Sequence, residues 1–306
     1  MQTLRHFLEI DDLSPGELAR VLELSTSMAT GDDGPDILDH RTVAFYFEKP
    51  SLRTRHSAEA ATVRLGGHPV TFSADEVSIG TREPALDVAK VLSGYHSLLG
   101  ARVFDHALLE ELASVATVPV VNLLSDLGHP CQALADLRTM QQEWGSLSGR
   151  TVTWIGDYNN VARSLALGAA MSGMSVRLGC PNGYGPTEED LDRLRLAGLD
   201  HVFVSDRAAE AAEGSDAVHT DVWASMGQEA EAQARHQAFE GFQVDDDVMA
   251  AAPETAIFMH CLPAHRGEEV SASVADGAQS RMIAQAHNRM YAKIGLFRWL
   301  HEVGSL

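Results

Sequence analysis

The segment FEKPSLRTRHS places Ser51, Arg53, Thr54 and Arg55 within five positions, residues 51–55. Hydroxyls, the open amides of a helix's first turn and guanidinium forks are the groups that hold the oxygens of a tetrahedral oxyanion. They converge if the strand-like RTVAFYF before them hands over to a helix running from Arg53 to Leu65. A capped helix with solvated arginines would show the same letters, and that reading stays open from this stretch alone.

DLGHPCQALADL repeats the device: Pro130 suits a helix's first turn, which puts open N–H groups beside His129 and Gln132. His129 reads either as a polarising donor or as a local hydrogen-bonding residue. TVTWIGDYNNVARSL has the outline of a nucleotide-binding strand, turn and helix, but the chain has neither GxGxxG there nor a GKS or GKT, so a dinucleotide cofactor is not expected. Asn159 and Asn160 instead cap the helix or hold a polar ligand at the strand end. AIFMHCLPAHRGEEV brings His260, Cys261, His265 and Arg266 to the end of another apolar strand without the paired spacing of a zinc site, so no metal is expected. Cys261 as an attacking thiolate would lack an identified general base. Asp221, two residues before Trp223, either binds an ammonium group or ends a strand.

These stretches need a scaffold. Short apolar runs recur at LLGARVF, VPVVNLL, TVTWIG, SVRLGC, HVFVSD, DAVHTDVW and AIFMHC, separated by helical stretches such as VARSLALGAAMSGM. Unalternated strands between helices predict parallel sheets covered on both faces, an α/β architecture. A chain of 306 residues, 45% of them hydrophobic, suggests two domains. The boundary is placed at Gly145–Gly149, and SRMIAQAHNRMYAKIGLFRWL reads as a closing helix. Lys and Arg number 23 against 43 Asp and Glu, a formal charge of −20, which disfavours a broad nucleic-acid or anionic-membrane surface. Any anion must be held in a focused pocket. The N-terminal MQTLRHFLEIDDLS has no basic stretch followed by a long apolar run, and Cys131, Cys180 and Cys261 read as reduced thiols of a cytoplasmic protein.

Taken together, FEKPSLRTR, DLGHPCQ, WIGDYNN, DVWASMG and MHCLPAHRGEEV resemble the aspartate/ornithine carbamoyltransferase family over nearly the whole chain, with HCLP and SMG pointing to its ornithine branch. The resemblance implies two similar-sized three-layer α/β domains with mainly parallel sheets: residues 1–145 plus 281–306 for carbamoyl phosphate, residues 146–280 for ornithine. It implies a homotrimer with sites near subunit interfaces, Arg82 in SIGTREP being the basic residue offered to a neighbour, and no cofactor.

Carried over residue by residue, Ser51, the backbone at Leu52, Arg53 and Thr54 match the phosphate cradle, and Arg102 the next anion ligand. His129, Gln132 and Arg289 match the groups at the carbamoyl end. Asn160, Asp221, Ser225 and Met226 match the amino-acid binders, with Cys261 and Leu262 facing both substrates. Arg53, Arg102, His129, Cys261 and Arg289 would carry the catalysis. The sequence departs from the family pattern at Leu52, at Ser78 (where many members have a Gln that contacts carbamoyl phosphate), and at Val103, His287 and Tyr291. These changes bear on affinity and on the choice of amine more than on reaction class. Transfer to L-ornithine is the expected reaction, with putrescine or a modified ornithine as other acceptors and a catalytically silent homologue as the reading from a different class.

Overall fold

The computed structural model describes residues 4–29, 35–224 and 231–306. In chain order its elements are α1 (Pro15–Ala29), β1 (Thr42–Phe47), α2 (Leu52–Arg64), β2 (His68–Ser73), α3 (Ala85–Ser93), β3 (Leu98–Arg102), α4 (His106–Val115), β4 (Val120–Leu124), α5 (Pro130–Trp144), β5 (Thr151–Ile155), α6 (Asn160–Met171), β6 (Ser175–Gly179), α7 (Glu188–Leu196), β7 (Phe203–Ser205), α8 (Ala208–Ala212), β8 (Ala217–Thr220), α9 (Ala232–Ala238), α10 (Asp246–Ala251), β9 (Ile257–His260), α11 (Ala272–Ala275) and α12 (Met282–Glu302). Two compact units result: one runs to Arg138 and resumes at His287–Leu306, and the other is Thr139–Ala286. No helix among the described residues is long and apolar enough to cross a membrane.

Each unit holds one parallel sheet, in the order β2-β1-β3-β4 and β7-β6-β5-β8-β9. Val43, Phe45, Tyr46 and Phe47 make β1 a run of branched and aromatic side chains, all buried, as a strand covered on both faces requires. The edge strand β2 was not foreseen. It is half-exposed, offers no continuous apolar run, and carries Pro69, a residue that sheets accept at their edges.

In both sheets the chain reverses its direction of winding once, between β1 and β3 and between β5 and β8. Adjacent connections then leave on opposite faces, and the carboxyl ends of those strand pairs open a crevice suited to ligands. The segments singled out by their chemistry follow these strands: residues 51–55 follow β1, Arg102 ends β3, Asp157 and Asn159 follow β5, and Asp221 follows β8.

The first unit is also closed by α12, which packs on α1 at Gly295. A Cβ there would meet the Ser25 hydroxyl and the Val21 carbonyl, and would stand 2.8 Å from the Ser25 amide nitrogen. Glycine costs a helix about 1 kcal/mol relative to alanine, so a glycine here serves the close approach of the two backbones. Gly295→Ala should therefore destabilise the protein, by about 1–3 kcal/mol from overpacking despite its better helix propensity. A urea titration showing an unchanged or raised midpoint would mean that α1 moves aside without strain.

Candidate active site

β1 passes into α2 through Ser51, whose extended backbone ends the strand and whose Oγ accepts from the Thr54 amide at 3.2 Å. Amides of the first helical turn have no acceptor within the helix, so this end is a ready anion seat. The Leu52 side chain is 68% exposed, leaving its backbone as the part available to such a seat. Thr54 is fully buried, and its hydroxyl accepts from Arg289 Nη2 at 2.6 Å and from Arg102 Nη1 at 3.3 Å. Two guanidiniums from β3 and α12 thus converge on one side chain of α2. Arg53 keeps a buried Nε that has no hydrogen-bond partner among the described residues. Arg55 pairs with Glu59 at 2.9 Å, one turn on within α2, so its visible partner belongs to the helix and not to the preceding loop.

His129 precedes Pro130 and caps α5 through its carbonyl, which accepts from the Gln132 and Ala133 amides. Its ring is buried. Burial first, then the positive charges of Arg289, Arg102 and Lys293, hold its pKa well below the ordinary histidine value. At neutral pH His129 is an uncharged imidazole, able to donate a hydrogen bond to a polarised oxygen without adding charge. Gln132 donates to Asp136 at 2.7 Å and keeps a buried Oε1 that no described residue satisfies. Lys293, which sequence reading passed over, is fully buried on α12, with Nζ 3.0 Å from Ser57 Oγ and 3.2 Å from the Arg289 carbonyl.

Ser78 and Arg82 bond within their own loop, to the Ala74 and Glu76 carbonyls. A cavity of about 300 Å³ opens at the ends of β1 and β2, lined by Phe47, Lys49, Ser51, Arg55, Ser73 and Glu76 among others. Of its lining, Ser51 adjoins the Thr54 cluster, through its bond from the Thr54 amide.

In the second unit, β5, β8 and β9 end around one carboxylate. Asp221 is buried and accepts from Asn159 Nδ2 at 3.2 Å, from the Val222 amide at 2.9 Å and from Cys261 Sγ at 2.9 Å. Asn159, not Asn160, caps α6: its Oδ1 accepts from the Val161 and Ala162 amides. One asparagine therefore starts the helix and steadies Asp221, while Asn160 opens the helix itself. A thiol that donates to a carboxylate keeps its proton, which makes Cys261 an orienting group and a poor nucleophile. Asp157, after β5, pairs with the largely buried Arg235 at 2.7 Å; burial raises its pKa, and the Arg235 bond offsets that in part.

Behind Cys261, His260 Nδ1 accepts from the Leu262 amide at 2.9 Å, so the proton sits on Nε2 and is donated to Glu269 at 3.1 Å. Burial works to raise the Glu269 pKa, but bonds from His260 and the His265 amide outweigh it and hold the group below the usual carboxylate range. Leu262 adopts φ +63°, a left-handed conformation that costs a branched residue on the order of 1 kcal/mol, and the peptide to Pro263 is cis. The His260–Glu269 pair fixes this loop, and neither partner was recognised from sequence as its brace. Ser225 and Met226 lie outside the described residues.

Among the described residues, two groups of ligand-type atoms gather within 4.8 Å: Asp221, His260 and Cys261, and separately His265, Glu268 and Glu269. In the first, the thiol proton is directed at Asp221 and both His260 nitrogens are engaged, an arrangement that does not present the lone pairs a metal needs.

The model of the aspartate/ornithine carbamoyltransferase carbamoyl-P binding domain matches residues 5–142, and that of the family's Asp/Orn binding domain matches residues 148–300. An ornithine carbamoyltransferase of Acidothermus cellulolyticus is 46% identical over 97% of this chain and 96% of its own length. One from Haloquadratum walsbyi is 43% identical over 95% of this chain and 96% of its own. The solved ornithine carbamoyltransferase of Pyrococcus furiosus superposes with a TM-score of 0.92 at 39% identity, covering 96% of each chain. Together the two domain models and these full-length matches span both units, and the chain belongs to the aspartate/ornithine carbamoyltransferase family.

Proposed function

We propose that the protein transfers the carbamoyl group of carbamoyl phosphate to the δ-amine of L-ornithine, giving L-citrulline and phosphate. The observation that carries this reading is the convergence of Arg102 and Arg289 on Thr54 beside an imidazole held neutral. Such a seat suits a small dianion whose neighbouring carbonyl must be polarised. Ser51, the amides at Leu52, Arg53 and Thr54, and the guanidiniums of Arg53 and Arg102 bind the phosphate. Arg289 and His129 donate to the carbamoyl oxygen, with Gln132, Cys261 and Leu262 around the amide end. Charge develops on that oxygen in the tetrahedral transition state, so donors already in place need no reorganisation.

The attacking amine must be neutral. An alkylamine with pKa about 10.4 reaches that state near pH 7 at a cost of roughly 4–5 kcal/mol, which nearby cations and exclusion of water reduce. The departing phosphate takes the proton, so no carboxylate base is required. Asp221 pairs with the α-ammonium of ornithine, Asn160 anchors its carboxylate, and Ser225 and Met226 complete the acceptor side. The working form is a cytoplasmic homotrimer in which Arg82 of one subunit, with Ser78 near it, approaches the phosphate bound to the next. The division of labour is residues 1–145 plus 281–306 for the donor and 146–280 for the acceptor.

The direct assay is citrulline and phosphate release from carbamoyl phosphate across a set of amines. Bound donor with no ureido product from any amine would leave a silent homologue, and preference for putrescine or a modified ornithine would move the acceptor assignment. Asp221→Ala should raise the KM for ornithine about 10- to 100-fold, the range for losing a charge-assisted hydrogen bond, while 5-aminopentanoate, which lacks the α-ammonium, is affected no more than about twofold. Equal losses on both acceptors would reject the contact.

His129→Ala should lower kcat by about 100- to 1000-fold, as loss of one oxyanion donor does, and His129→Asn, which keeps an N–H donor, by less. Because the imidazole is neutral well below pH 6.5, kcat in the wild type should not fall as pH rises from 6 to 8. A descending limb near 6.5 that disappears in His129→Asn would show that the charged imidazole was the active form.

A further inference from the structure

Lys293 has no place in the mechanism above, yet it lies where that mechanism is assembled. It follows Arg289 by one helical turn on α12 and is fully buried. Its Nζ bridges the Arg289 carbonyl and Ser57 Oγ, and Ser57 Oγ in turn reaches the Arg53 carbonyl at 2.6 Å. A chain of hydrogen bonds thus ties α12 to α2 one turn behind the contact of Arg289 with Thr54.

The surroundings are cationic. Among the described residues no carboxylate pairs with Nζ; its polar contacts are the hydroxyl and the carbonyl. The charged and titratable groups that act on it or share its field are Arg289 on its own helix, His129 and Cys131 at the start of α5, and Arg102 at the end of β3. A buried ammonium without a counter-charge is unfavourable, and an arriving anion removes that penalty. Burial foremost, then Arg289, against an opposing effect of Cys131, push the lysine down to about 7. A lysine so lowered favours its neutral form as pH rises above 7, and an anion beside it favours the ammonium.

We propose that Lys293 is a positioning residue of the donor site: it fastens Arg289 to the helix that cradles phosphate, and it takes up one proton from the buffer when the dianionic donor binds. This rests on carbamoyl phosphate being the donor. Binding and protonation then reinforce each other, since the new ammonium strengthens the field on the phosphate and keeps Arg289 seated on Thr54.

The test is calorimetric titration of the intact protein with carbamoyl phosphate at pH 8 in two buffers of different ionisation enthalpy. The ligand is a dianion throughout pH 7–9, because phosphate esters lose their second proton near about 6. Wild type should take up about half a proton or more per site, and its donor affinity should weaken roughly tenfold from pH 7 to pH 9. Lys293→Met should bind the donor with uptake abolished and affinity flat across that range, and Lys293→Arg, charged at every pH, should be flat but tighter than Met. No proton uptake by wild type overturns the proposal without recourse to any variant. Uptake unchanged in Lys293→Met assigns the proton elsewhere, to His129 or Cys131, and also overturns it. Failure to bind carbamoyl phosphate at all would instead overturn the donor reading on which the proposal stands.

Discussion

The structure depends on a concentration of buried positive charge around Thr54. Arg102, Arg289 and Lys293 come from β3 and α12, and burial, aided by their joint field, keeps His129 neutral. Gathering like charges away from water is unfavourable, and a fold retains such a cluster where something of opposite charge belongs beside it. The scaffold supplies the geometry through rigid parts: the carboxyl ends of β1 and β3, the first turn of α2, and a helix that returns after the whole second unit has been built. Because Arg289 and Thr54 are 235 residues apart, their contact exists only in the folded chain.

The second unit uses the opposite sign by the same means. Its winding reversal falls between β5 and β8, and there Asp221 is held by an amide, an asparagine and a thiol, none of which neutralises it. A carboxylate fixed by neutral donors is oriented without a counter-charge, whereas one paired to an arginine has its counter-charge already. Asp157 shows the contrast: its pairing with Arg235 makes it part of the loop's framework. The His260–Glu269 pair does comparable work behind Cys261, holding a left-handed Leu262 in place.

What was legible in the sequence was local. FEKPSLRTR announced a strand, a cap and a helix because each signal lies within a few residues, and Ser51 caps α2 as that pattern requires. β2 was missed because a half-exposed edge strand with Pro69 has no apolar run to reveal it. Between Asn159 and Asn160 the sequence could not choose the cap, since adjacent identical side chains differ only in the backbone angles they are given. The thiolate reading of Cys261 remained open for want of a visible partner, and that partner, Asp221, lies 40 residues away. Lys293 was silent for the same reason: in a helix its letter signals solvent, and only tertiary packing places it against Ser57, 236 residues away in the chain.

The overall charge of −20 and a pocket for a dianion are compatible because the two act over different distances. Surface carboxylates beyond a Debye length of about 8 Å at physiological salt are largely screened. A guanidinium about 4 Å from an oxyanion in a partly buried setting interacts with roughly 4 kcal/mol at an effective dielectric of 20, and several act together here. The local term decides binding once the ligand has entered, while the acidic exterior disfavours the broad surface contact that an extended polyanion needs. A basic exterior would have attracted both without discrimination. Acidity outside and buried cations within therefore favour a small anion held in a focused pocket over an extended polyanion bound at the surface.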